Sequence, residues 1–190
     1  MLRVLWRFRV PMTAAHIARL AGLTHPATSA VLDTLTEIGA AESAPAGRGH
    51  TYWLVRDNVY VQSFIDPIFR AEDALPEMLE AELREIFAEQ TLSVVLFGSY
   101  ARGDQTPVSD VDVIAVAHDS ETKARIEHDL PDVAAAFRRR WSASLSVVTY
   151  DPVEASATAA RAPEFYDSLV HEGVRVSGLM VVEWSSLGAK

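Results

Sequence analysis

Leu92-Ser93-Val94-Val95-Leu96-Phe97-Gly98-Ser99-Tyr100-Ala101-Arg102-Gly103-Asp104, followed by Ser109-Asp110-Val111-Asp112-Val113, carries the sharpest pattern in the chain. The run Leu92 to Phe97 is apolar, rich in Val and Leu, and short enough for a buried strand. It stops at Gly98-Ser99, where glycine permits a sharp turn and close approach by another group. A polar loop and a second apolar run, Val111 to Ala117, come next. Side chains alternate along a strand, so Asp110 and Asp112 project from one side while Val111 and Val113 face a core. Two carboxylates that close repel, unless they sit at a solvent-facing strand edge or share a cation.

An apolar strand, Gly-Ser, ten intervening residues and then Asp-x-Asp on a strand resembles the signature of the DNA polymerase beta-like nucleotidyltransferases. The wording Gly98-Ser99-Tyr100-Ala101-Arg102-Gly103-Asp104 with Ser109-Asp110-Val111-Asp112 is nearest to their small bacterial and archaeal branch, the minimal nucleotidyltransferases. The resemblance implies that Gly98 and Ser99 hold the phosphates of a nucleoside triphosphate, with Arg102 assisting. It implies that Asp110 and Asp112 are the catalytic pair and ligate Mg²⁺, in a one- or two-metal arrangement. A third carboxylate ordinarily comes from the next strand. Here that strand reads Ser144-Leu145-Ser146-Val147-Val148-Thr149-Tyr150, and the matching position is Ser146 or else Ser144. Neither serine carries charge or acts as a base at neutral pH. Asp151 falls after the strand and on the wrong parity to substitute. Whether the chain catalyses transfer is therefore open at this point.

Composition narrows the classes. Within 190 residues, 49% are apolar, enough for one large or two small cores. The absence of cysteine excludes disulfides, thiolate zinc sites and a cysteine nucleophile, and fits a cytoplasmic location. The N-terminus has no continuous apolar signal region, and no run is long enough to span a membrane, so no membrane partner is expected. Net charge is −9, against broad coating of nucleic acid. The charge is uneven: residues 1–58 hold six arginines against four acids, or +2, which leaves −11 for the rest.

Residues 1–58 show three helical stretches and a hairpin. Thr13 caps a helix Ala14 to Ala21, with Ile17, Leu20 and Ala21 inward, ended by Gly22. Thr24 caps a helix His25 to Ile38, with Ala27, Ala30, Val31, Leu35 and Ile38 inward, ended by Gly39. Strands Ala40 to Ser43 and His50 to Val55 flank a tip at 45–49. This resembles a bacterial winged helix-turn-helix, which implies contact with double-stranded DNA through His25, Thr28 and Ser29 on the third helix and Arg48 at the wing. The third helix carries no Arg or Lys, which weighs toward a protein-contact or homodimer role instead.

Residues 59–90 read as a helical connector, split near Pro67, with a helix Leu75 to Glu89 that has Pro76 in its first turn. Residues 91–180 read as the nucleotidyltransferase-like domain. After its signature come a helix Glu121 to Trp141 interrupted near Pro131, a strand Leu145 to Tyr150, a helix Pro163 to His171 and a closing strand 173–178. Residues 181–190 read as a peripheral tail. The fold class expected is α/β (α+β): a winged helix-turn-helix followed by a small mixed sheet flanked by helices. The expected activity is transfer of a nucleoside monophosphate from an NTP to a hydroxyl of a protein or small molecule. The resemblance also implies toxin–antitoxin membership with a HEPN-type protein partner. The alternative is a transcriptional regulator whose degenerate transferase domain senses nucleotide or partner without catalysis.

Overall fold

A computed structural model describes residues 1–188; the last two residues of the expected tail lie outside the described residues. The chain divides into two compact units, Met1–Pro76 and Glu77–Lys190.

The first unit begins with helix α1 (Leu2–Arg7), short strand β1 (Met12–Thr13), helix α2 (Ala14–Ala21) and helix α3 (His25–Glu37). The Thr13 hydroxyl accepts the His16 N–H at 3.3 Å, the N-cap expected from sequence. Strands β2 (Ala41–Ala46) and β3 (Gly49–Leu54) form a hairpin, and β1 pairs on the other edge of β3, giving the antiparallel order β1-β3-β2. The hairpin ladder runs to Ala46 and Gly49, so the tip is the two residues Gly47 and Arg48 rather than a five-residue loop. The core joins Leu5, Met12, Ile17, Leu32, Leu35, Ala40, Leu54 and Val61.

The inner face of α3 differs from the expected one. Thr28, Leu32 and Leu35 are buried, whereas Val31 is 42% and Ile38 is 48% exposed. A stripe at i, i+4 and i+7 that starts on a threonine is hidden from a pattern scored on apolar residues. Leu20 in α2 is likewise exposed, its place inside taken by Ala14 and Ala18 beside Ile17.

A π-helical turn (Val61–Ile65) leads into helix α4 (Asp66–Phe87), which is continuous through Pro76 and across the division between the units. A proline inside a helix removes one hydrogen bond, which is why the sequence suggested a start there. The later half of α4 contributes Leu79, Leu83 and Phe87 to the core of the second unit.

That unit continues with β4 (Thr91–Phe97), a short helix α5 (Gly98–Arg102), β5 (Val111–Ala117), α6 (Ser120–Trp141), β6 (Leu145–Tyr150), α7 (Pro152–Arg161), α8 (Pro163–Glu172) and β7 (Val174–Gly178). The mixed sheet has the order β6-β5-β4-β7. β4 is antiparallel to both β5 and β7, and β5 and β6 are parallel, joined by α6 as a parallel pair requires. α6 is unbroken at Pro131. Ile126 and Phe137 of α6 join the α4 residues under one sheet face, against Val94, Leu96, Val111, Val113 and Val176. Ala155 and Leu169, from α7 and α8, cover the other face at Val95, Ile114 and Val116.

A 3₁₀ turn, Val181–Ser186, also lies on that second face. Its Trp184 is fully buried and donates its indole N–H to Ser93 Oγ at 3.1 Å, while Ser93 donates to the Leu179 carbonyl at 2.7 Å. The segment after 180 is thus structural in its described part, not a peripheral tail. Among the described residues, no helix is long and apolar enough to cross a membrane.

Candidate functional site

The candidate site forms where β4 ends and β5 begins. Antiparallel register sets Phe97 opposite Asp112, so the turn that leaves β4 lies beside the Asp112 carboxylate. Gly98 has φ +69, a conformation that costs a non-glycine residue, and it starts α5. A Cβ built on Gly98 would sit 2.6 Å from Asp112 Oδ2. Glycine here serves two needs at once: the backbone angle, and room for an acidic oxygen against the turn.

At the start of β5 the alternation holds. Val111 and Val113 are buried, Asp112 is half-buried and Asp110 is exposed. The Val111 N–H donates to the Ser144 carbonyl at 2.8 Å, which anchors the head of β5 to the strand beside it. Parallel register then places Ser146 of β6 directly beside Asp112, on the sheet face that Ile114 and Val116 share. Among the described residues no cluster of three or more His, Cys, Asp or Glu stands close enough to hold a metal. The register accounts for this on β6, where the side chain flanking Asp112 is a hydroxyl.

Asp151 is engaged elsewhere. It caps α7, accepting the Glu154 N–H at 2.8 Å and the Ser120 hydroxyl at 3.1 Å. Five positions beyond Ser146 along an extended chain, it is roughly 16 Å from the candidate site. The Glu154 N–H holds the Asp151 carboxyl below its ordinary range.

Arg102 ends α5 and is shared by two acids. Its Nε donates to Asp104 at 3.2 Å and its Nη1 to Glu172, the last residue of α8, also at 3.2 Å. The hydrogen bond to Asp104, then the one to Glu172, raises the guanidinium pKa further. Glu172 was not singled out from sequence. A signal existed: an acid at a helix C-terminus opposes the helix dipole, so a cation beside it is expected. Ser99 accepts the Asp104 N–H on its carbonyl at 3.1 Å, and the loop then closes through Thr106 and Ser109: the Thr106 N–H donates to Ser109 Oγ at 2.9 Å and the Ser109 N–H to the Thr106 carbonyl at 3.0 Å.

The structure thus brings the Gly98 turn against Asp112, with Ser99 next in α5, Asp110 one residue ahead of β5 and Arg102 one helical turn on. The residues expected to touch DNA lie in the other unit. Of these, Thr28 is wholly buried and its hydroxyl finds no partner, so it cannot reach a ligand; this corrects the sequence reading. Ser29 is half-buried 3.5 Å from His25 Nδ1, His25 is exposed, and Arg48 sits exposed in the hairpin turn.

Residues 77–161 match the family model described as Nucleotidyltransferase domain. The similarity is confined to these residues of the second unit. A candidate protein adenylyltransferase of Methanocaldococcus jannaschii is 31% identical over 83 residues. The alignment covers 43% of this chain and 56% of that relative, so the chain spans little more than half the length of the curated relative it matches. Among solved structures, a toxin–antitoxin complex with AMP-PNP is similar with a TM-score of 0.37 and 16% identity, over 58% of this chain and 81% of that one. A candidate nucleotidyltransferase from Sulfolobus solfataricus has a TM-score of 0.29 and 18% identity, over 56% of this chain and 83% of that one. The residues matched by the family model contain both halves of the sequence signature, Gly98-Ser99 and Asp110-x-Asp112.

Proposed function

We propose that the chain transfers a nucleoside monophosphate from an NTP to a hydroxyl, with a protein as acceptor. The observation that carries this reading is that Asp112 Oδ2 occupies the space a Cβ on Gly98 would need, 2.6 Å from it. The name of the Methanocaldococcus jannaschii relative, a protein adenylyltransferase, supports AMP and a protein acceptor. The resemblance drawn from the motif adds a HEPN-type partner within a toxin–antitoxin pair.

The donor set fits Mg²⁺. Asp110 and Asp112 offer hard carboxylate oxygens, and Asp112 presents one beside the turn that would hold phosphate. Held by these two residues, Mg²⁺ would neutralise phosphate charge and stabilise the departing pyrophosphate. The chain's own part is to orient. The Gly98 turn and Ser99 hydroxyl receive the phosphate tail, and Arg102, released from Glu172 or Asp104, adds a cation. In the transfer, the acceptor oxygen bonds to the α-phosphorus, the bond from that phosphorus to the bridging oxygen breaks, and pyrophosphate leaves. The acceptor proton finds no third carboxylate at Ser146, so transfer is slow unless the acceptor or solvent supplies a base.

The Ser146 register favours a second reading. The nucleotidyltransferase domain binds nucleotide without catalysis, and Met1–Pro76 is a winged helix that contacts DNA through His25, Ser29 and Arg48. One experiment separates the two. The chain is incubated with each α-³²P-labelled NTP and Mg²⁺ in a lysate of its host, and nucleotide binding is measured in parallel by calorimetry. Transfer predicts label on a protein, lost by at least about 100-fold in Asp110→Asn/Asp112→Asn and increased by Ser146→Asp. Binding without label, in the parent and in Ser146→Asp alike, leaves the sensor reading. No binding of any NTP ends both.

A further inference from the structure

A cleft of about 620 Å³ opens within the unit Met1–Pro76, and neither the transferase signature nor the proposed DNA contacts use it. Its walls include Trp6, Phe8, Trp53, Arg9, Arg56 and Arg70. The volume lies in the range of small-molecule sites, roughly 300–1,000 Å³.

One wall is built by a closed polar network. The Trp6 indole N–H donates to Asp66 Oδ1 at 2.7 Å, and Arg56 Nη1 donates to the same oxygen at 3.3 Å. Arg56 Nη2 donates to the Trp6 carbonyl at 2.5 Å, and Arg70 reaches Asp66 Oδ2 at 3.3 Å. The ring of Phe69 backs Trp6 with centroids 5.4 Å apart. The Trp6 N–H, more than the arginines, holds the Asp66 carboxyl below its ordinary range, so it is ionised at neutral pH. That single carboxylate is spent on orienting Trp6, Arg56 and Arg70.

What remains facing the cleft is a surplus of charge and ring. Three guanidiniums against one carboxylate leave +2 in a chain whose net charge is −9. Arg9 has no ion-pair partner among the described residues. Phe8 is 46% exposed, and Trp6 and Trp53 are half-buried, so apolar ring surface meets water here. Guanidinium groups pair with carboxylate and phosphate oxygens, and indole faces take planar rings. We propose that this cleft binds a small aromatic anion, a planar ring bearing a carboxylate or phosphate. The ring is held among Trp6, Phe8 and Trp53, and the anionic group by Arg9 together with the unpaired N–H groups of Arg70.

Titration calorimetry on the full chain, in EDTA to suppress metal-dependent binding at the other unit, tests this with three probes: indole-3-acetate, AMP and tryptamine. The expected result is saturable 1:1 binding of one or both anions, with no binding of the cationic tryptamine. Indole-3-acetate alone identifies a carboxylate head group and AMP alone a phosphate. Arg9→Glu, at an exposed position without a structural partner, is expected to weaken that binding at least tenfold while the thermal midpoint stays unchanged. Arg70→Glu should weaken it likewise, with some loss of the thermal midpoint because it sets a second carboxylate beside Asp66. The proposal is overturned if neither anion saturates, if tryptamine binds as well as the anions, or if Arg9→Glu and Arg70→Glu leave binding intact. It is also overturned if sedimentation shows a dimer that Arg9→Glu separates, because the cleft would then be a subunit interface.

Discussion

At Gly98 two independent constraints meet on one residue. The φ of +69 alone costs an alanine about 1 kcal/mol, and the Cβ would press on Asp112 Oδ2. A carboxylate displaced by even a few tenths of an ångström no longer holds the geometry set by the Phe97–Asp112 register. Gly98→Ala is therefore expected to leave the unit folded, with about 1–2 kcal/mol lost, yet to weaken NTP binding in Mg²⁺ by at least tenfold. Calorimetry beside a denaturant titration reads both quantities; a variant that loses stability but binds NTP as the parent does would detach the turn from the site. The turn at Gly98 and its place beside Asp112 were legible in sequence because spacing and strand parity are local properties. Thr28 was misread because burial on α3 depends on what packs against it, and a threonine gives no apolar signal. Glu172 carried only the signal of an acid at a helix C-terminus; that its partner is Arg102, seventy residues away in the chain, was not legible.

At the level of elements, the strands β4, β5 and β6 were readable as short apolar runs, while α7 was not. α7 buries only Ala155 and Thr158, so its sequence shows no stripe; it is held instead by its start. Asp151 and Glu154 form a reciprocal capping box, and Lys123 of α6 donates to both oxygens of Glu154, at 2.8 and 2.6 Å. The Glu154 N–H depresses the Asp151 carboxyl below 3.8, and Lys123 depresses the Glu154 carboxyl below 4.5. Depressed carboxyls stabilise the fold fully above those ordinary values, and the stabilisation is lost as pH falls through and below them. Asp151→Ala is thus expected to cost about 1 kcal/mol at pH 7, with the gap to the parent narrowing below pH 4 in a series of melts. A gap independent of pH would assign the loss to packing. The 3₁₀ turn at 181–186 escaped the sequence reading for the opposite reason: its anchor is a single tryptophan whose partner, Ser93, is 91 residues earlier. Trp184→Ala removes a wholly buried indole and should cost about 3–5 kcal/mol, which a urea titration can measure. A loss below about 1 kcal/mol would return the segment to the periphery.

For the whole chain, charge is uneven along the sequence: Met1–Pro76 is neutral, with its positive excess confined to residues 1–58, and Glu77–Lys190 carries −9. Residues 1–58 carry +2, against −11 for the remainder. DNA affinity draws mainly on phosphate neutralisation, and α3 supplies neither Arg nor Lys to it. If Met1–Pro76 is a winged helix that meets DNA, the exposed Arg48 in the β2–β3 turn is one of few cations positioned to contribute. Two consequences follow for a fluorescence-anisotropy titration of the full chain on its own upstream DNA. The plot of log affinity against log salt should be shallow, with a slope that reflects only one to a few phosphates, each worth about −0.9. Arg48→Ala should flatten it by about one phosphate and weaken binding alike on every sequence tested, because a wing-tip arginine on phosphate positions the protein without reading bases. A steep slope untouched by Arg48→Ala would move the contact elsewhere, and salt-dependent binding absent altogether would leave the N-terminal unit to its cleft and to protein partners.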